Sequence, residues 1–98
     1  MHERAINELV IETVQQVGDA RYAVSLRLDG ARECVRIHAE LHRHPCGASI
    51  ATSDDLDGLL GTRETNLWSP SILSVVHRSY RGESVEWPVR VSRSDVLY

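Results

Sequence analysis

Hydrophobic and polar positions alternate with a period of two across much of the first half of the chain. In "RYAVSLRL", Tyr22, Val24, Leu26 and Leu28 fall on one side and Arg21, Ala23, Ser25 and Arg27 on the other, as in a half-buried strand. "ECVRIHAEL" repeats the pattern, with Val35, Ile37, Ala39 and Leu41 inward and Cys34, Arg36, His38 and Glu40 outward. Asp29-Gly30 lies between the two segments and is a strong hairpin signal, so they are expected to pair antiparallel. The preceding "INELVIETVQQV" fits either period. As a helix it aligns Ile6, Leu9, Val10, Thr13, Val14 and Val17, with Gly18 as C-cap; as a strand it joins through Gly18-Asp19 and completes a three-stranded meander. The strand is favoured, because a lone hairpin is marginally stable.

Beyond Leu41 the alternation stops. "HRHPCGASIATS" carries a proline, a glycine and small residues, so the strand is expected to end near His44 and a loop to follow. Ser53 reads as an N-cap, with Asp54 and Asp55 at the positive end of a short helix whose Leu56, Leu59 and Leu60 face inward and which stops at Gly61. "GTRETNLW" reads as a connector. Ser69-Pro70 then starts a second helix, with Ile72, Leu73, Val76 and Tyr80 on one arc and Gly82 past its end; serines and valines make it a poor helix former, so a strand over 71–81 is the alternative, but neither strand face would be cleanly apolar. A last strand, "SVEWPVRV", places Val85, Trp87, Val89 and Val91 on one face, and Pro88 makes it an edge strand. Trp68 and Trp87 are expected in the core or at its rim.

The sum is a small α+β domain: an antiparallel sheet, built from a β-meander plus a C-terminal edge strand, with two short helices on one face. At 98 residues the chain has room for one core, so 1–98 is read as a single domain. Residues 92–98 read as a flexible tail from which Val96, Leu97 and Tyr98 could dock.

Composition narrows the setting. Two cysteines do not make a disulfide framework, the N-terminus lacks a signal-peptide pattern, and no apolar run approaches a membrane span. A soluble, cytoplasmic, reduced protein is expected. All 11 basic residues are arginine, set against 14 acids for a net charge of −3, and they are spread from Arg4 to Arg93. A nucleic-acid binder concentrates its positive charge, so nucleic acid is disfavoured as a partner.

Chemistry is arguable mainly in "HAELHRHPC". Residues two apart on a strand share a face, so His42, His44 and, if the chain stays extended, Cys46 offer two nitrogens and a sulfur of the kind zinc accepts. His38, Glu40 and His77 are the further candidate ligands, with Asp54 an added donor. Against this, a structural site needs four groups around one point, a straight strand spreads its side chains, and no Cys-x-x-Cys pair is present. Solvated strand-face polarity explains the same residues. A Cys34–His38 nucleophilic pair fails on strand spacing, and Cys46 beside His44 is poorly aimed. No Gly-x-Ser-x-Gly, His-Glu-x-x-His or phosphate loop occurs, and the acids at 54, 55 and 57 lack the calcium-loop pattern. No catalytic residue is assigned.

The leading expectation is therefore a non-catalytic domain that acts through protein contact, with homodimerisation as its natural form, because 42% apolar residues is a generous supply for one small core. The alternative is a metal-binding or small metal-dependent domain using the His-x-His-x-Cys segment. An acidic decoy for a basic partner is a third class, allowed by the charge but not selected by it.

Overall fold

The structure, a computed structural model, describes residues 5–96. Five strands, β1 (Glu8–Gly18), β2 (Arg21–Leu28), β3 (Val35–His44), β4 (Gly47–Thr52) and β5 (Val89–Ser92), form one antiparallel sheet in the order β4-β3-β2-β1-β5. Between β4 and β5 the chain forms α1 (Asp54–Leu60) and α2 (Thr62–Tyr80), and α3 (Arg93–Val96) follows β5. This is the α+β fold expected from the alternation: a meander, a C-terminal edge strand and helices on one face.

The ambiguous first segment is a strand. Leu9, Ile11 and Val14 pair with Leu28, Leu26 and Val24, and the register slips between Ile11 and Thr13, a bulge that keeps Val14 on the core side. Val10 points the other way yet is only 2% exposed, lying between Arg27 of β2 and Arg90 of β5. Long arginine stems shield apolar neighbours in this way.

The β2–β3 connection is longer than a tight hairpin. Asp29 and Gly30 both take positive φ, as expected, but Val35 is the first residue of β3. The Asp29 carboxylate explains the detour: its Oδ1 accepts the backbone N–H groups of Asn7 at 2.7 Å and Glu8 at 3.0 Å, which ties the turn to the start of β1. Asparagine and aspartate tolerate left-handed backbone better than most residues.

Four expectations need correction. The segment after His44 is not a loop: Pro45-Cys46 is a two-residue turn into β4, whose residues 47–52 pair with 39–44 of β3. Small side chains hid the strand, since only Ile50 of β4 is buried. "GTRETNLW" is not a connector either, because α2 begins at Thr62 and carries Pro70 in its interior. An interior proline costs a hydrogen bond, but Glu64, Thr65, Trp68, Ile72, Val75 and Val76 are buried along one helical face, and that burial holds the helix together across Pro70. The last strand is shorter than expected, starting only after the cis Trp87–Pro88 bond. Tyr80, expected on the apolar arc of its helix, is 40% exposed; of the two tryptophans expected in the core or at its rim, Trp68 is fully buried and Trp87 is 40% exposed.

Gly61 joins the helices directly. Its φ of 87° and ψ of 159° belong to a region that essentially only glycine occupies, its N–H donates to Asp57 O, and its O accepts the Thr65 N–H. The segment after Ser92 is organised as far as Val96, which packs at the edge of the core as α3. Leu97 and Tyr98 lie outside the described residues. The core itself joins the inner sheet face, through Leu9, Ile11, Val24, Leu26, Ile37 and Leu41, to Leu56, Leu60, Trp68, Ile72 and Val76 of the helices.

Candidate functional site

The face of the sheet opposite the helices carries the residues singled out for chemistry. His38, His42 and His44 all lie on it, because they alternate with Ile37, Ala39 and Leu41. They do not converge. His38 turns toward α1, with Nδ1 2.9 Å from Asp55 Oδ2, while His44 Nε2 is 2.9 Å from Ser49 Oγ across the β3–β4 ladder. Cys46 is exposed in the turn, Cys34 is exposed before β3, and both are free thiols. Glu40 stands opposite Arg21, and His77 is on α2. Among the described residues, no three His, Cys, Asp or Glu side chains gather where they could hold a metal ion.

An open cleft of about 400 Å³ lies where β4 passes into α1, lined by Arg21, Glu40, Thr52, Ser53, Asp54 and Asp55. It joins one guanidinium to three carboxylates. Ser53 occupies the position before α1, but its side chain makes no cap bond; its Oγ is buried and has no partner. The His38–Asp55 pair at this end could orient an imidazole. Among the described residues, however, no hydroxyl or thiol hydrogen-bonds the ring's other nitrogen, which a nucleophile–base pair requires.

The most tightly bonded charged group lies elsewhere. Glu64, on the buried face of α2, is 3% exposed. Its Oε1 accepts from Arg93 Nη1 at 2.8 Å, Trp68 Nε1 at 3.2 Å and the Ile6 N–H at 3.3 Å, and its Oε2 accepts from Arg93 Nη2 at 2.9 Å. Arg93 also donates to Ile6 O at 2.7 Å. Donation from Arg93 is the main cause that holds the Glu64 carboxyl down at about 2, against the opposing effect of burial. This node ties α2, α3 and the start of β1 together. Sequence reading missed it because Glu64 sat in the supposed connector and Arg93 in the supposed tail.

The two sheet edges differ. At β5 the strand is short, Arg90 is exposed, and the Ser92 N–H is occupied by Asp95 Oδ2 at 3.0 Å. That bond and a second from Ser92 Oγ hold the Asp95 carboxyl below its usual range. At β4, "GASIAT" has no charged residue and no proline. After the two-residue turn, the antiparallel alternation aims the backbone groups of Gly47, Ser49 and Ala51 at β3 and those of Ala48, Ile50 and Thr52 outward. Ser53 N donates to His38 O at 2.8 Å, in phase with that alternation.

Charge is sorted along this edge. Arg43 of β3 lies at its turn end, and Asp54, Asp55 and Asp57 lie at its α1 end. Among the described residues, Arg43, Asp54 and Asp57 make no ion pair. Also among the described residues, no helix is long and apolar enough to cross a membrane. Compared with known protein families, curated proteins and solved structures, the chain matches none.

Proposed function

We propose that this domain is non-catalytic and works through protein contact, with self-association as its basic form. The observation that carries the reading is the β4 edge, which among the described residues has no further strand beside it and holds no charge or proline. Natural sheets guard their edges with charge, proline, bulges or a covering element, because a free row of N–H and C=O groups recruits another strand. The β5 edge has such guards in Arg90, Pro88 and the Ser92–Asp95 bond, whereas β4 has neither charge nor proline along its length. An enzyme reading has less behind it, since the cleft beside α1 offers carboxylates and a guanidinium but no activated nucleophile. A cytoplasmic setting suits two free, exposed thiols.

Light scattering on the wild-type chain over a dilution series tests this. A dimer that dissociates on dilution is the expected result; a monomer persisting at about 100 μM, far above a micromolar Kd, removes the proposal.

A further inference from the structure

We infer that the β4 edge binds the β4 edge of a second copy, antiparallel and in a single register, with Ile50 facing Ile50 across a twofold axis. The inference rests on the self-association reading and specifies its geometry.

Only residues whose backbone groups point outward can exchange hydrogen bonds across the new ladder, which restricts pairing to Ala48, Ile50 and Thr52. Five twofold registers obey that restriction, centred on Ala48, Ser49, Ile50, Ala51 or Thr52, and those centred on Ala48 or Thr52 match only that one outward residue, with its own copy. Centring on Ser49 sets Thr52 against the turn residue Cys46, and centring on Ala51 sets Ala48 against Asp54 of α1, so each leaves outward groups unpaired. Centring on Ile50 matches Ala48 with the second copy's Thr52, and Thr52 with its Ala48, and engages every outward N–H and C=O of the strand.

Side-chain size and charge favour the same arrangement. On the outer face, Ser49 meets the second copy's Ala51, two small exposed residues that leave room for strand contact. Antiparallel pairing also lays the turn end of each copy, with Arg43, beside the α1 end of the other, with Asp54 and Asp57. Opposite charges thus meet at both ends of the junction, drawn from groups that make no ion pair among the described residues of the single chain. Such complementarity fixes register and suppresses wrong partners. The product is one continuous sheet through both copies, with the helices of each on the same side, and an isologous contact that closes without leaving β4 free.

Disulfide mapping tests the register. In a background with Cys34→Ser and Cys46→Ser, both exposed positions, three variants are oxidised and run without reductant. Residues 49 and 51 face each other as a non-hydrogen-bonded pair with Cα atoms about 4.5 Å apart, within disulfide reach, whereas residue 49 and its own copy sit about 7–8 Å apart on the diagonal. The Ser49→Cys/Ala51→Cys double variant is expected to shift from 11.0 kDa to a covalent species of twice that mass, and neither single variant is expected to shift. Cross-linking by Ser49→Cys alone or by Ala51→Cys alone overturns the Ile50 register while self-association stands. A dimer in solution that none of the three variants cross-links overturns the Ile50-centred junction, and a monomer in solution overturns both readings.

Discussion

Replacing Glu64 by glutamine removes one charge from the most densely bonded node of the molecule and leaves its shape nearly unchanged. The amide oxygen of the new side chain can still accept from Ile6 and Trp68, but the two-pronged bond to Arg93 is lost, and an amide N–H₂ then faces a guanidinium donor. The carboxyl falls from an ordinary 4.5 to about 2 on folding. By linkage, that gap corresponds to stabilisation of about 3 kcal/mol, a large share of what a small domain possesses. A depressed carboxyl stabilises the fold above its unfolded value, so the contribution is full near neutral pH and drains as pH falls from about 4.5 toward 2. Urea unfolding followed by tryptophan emission, with Trp68 fully buried as reporter, measures it at a series of pH values. Wild type is expected to exceed the Glu64→Gln variant by about 3 kcal/mol at pH 7, with the difference collapsing near pH 2. Taking the difference cancels the titration of the other carboxylates. A gap that is the same at both pH values, or one below about 0.5 kcal/mol at pH 7, would refute the assignment of this stabilisation to a charged, Arg93-bonded Glu64.

Two further substitutions examine the helices. Ser53→Ala deletes a buried hydroxyl that has no partner, so thermal unfolding is expected to show no loss or a small gain; a loss of about 1 kcal/mol would instead mark Ser53 as a true side-chain cap. Gly61→Ala forces a Cβ onto a residue at φ 87° and is expected to cost about 1–3 kcal/mol in denaturant unfolding, whereas a neutral result would show that the α1–α2 joint relaxes easily.

What could be read from the sequence follows how local each signal is. The alternation in β2 and β3 and the apolar residues of β1 describe one buried face, and they place the meander correctly. The β4 strand escaped because edge position asks little of its side chains: Ala48, Ser49 and Ala51 are exposed, and the strand is defined by backbone pairing with β3. Proline interrupts helices locally, so Pro70 reads as a boundary in the sequence, while the burial that carries α2 across it comes from tertiary contact. The Glu64–Arg93 bond joins residues 29 apart in the chain and on different elements, and no spacing rule reports such a pair. The histidine row was placed on its face correctly, but which neighbour each ring would find, Asp55 for His38 and Ser49 for His44, depended on α1 and on the unseen β4.

The most direct test of the central claim blocks the edge and leaves the fold alone. Ala48 is exposed, and its N–H points away from β3, so Ala48→Pro removes a donor that only a second strand would use. Sedimentation equilibrium at about 100 μM, a concentration that populates a micromolar dimer, compares the two proteins. Wild type is expected at twice 11.0 kDa, and the Ala48→Pro variant at 11.0 kDa with native circular dichroism. Wild type sedimenting at 11.0 kDa, or a folded variant that dimerises as readily as wild type, would contradict the account.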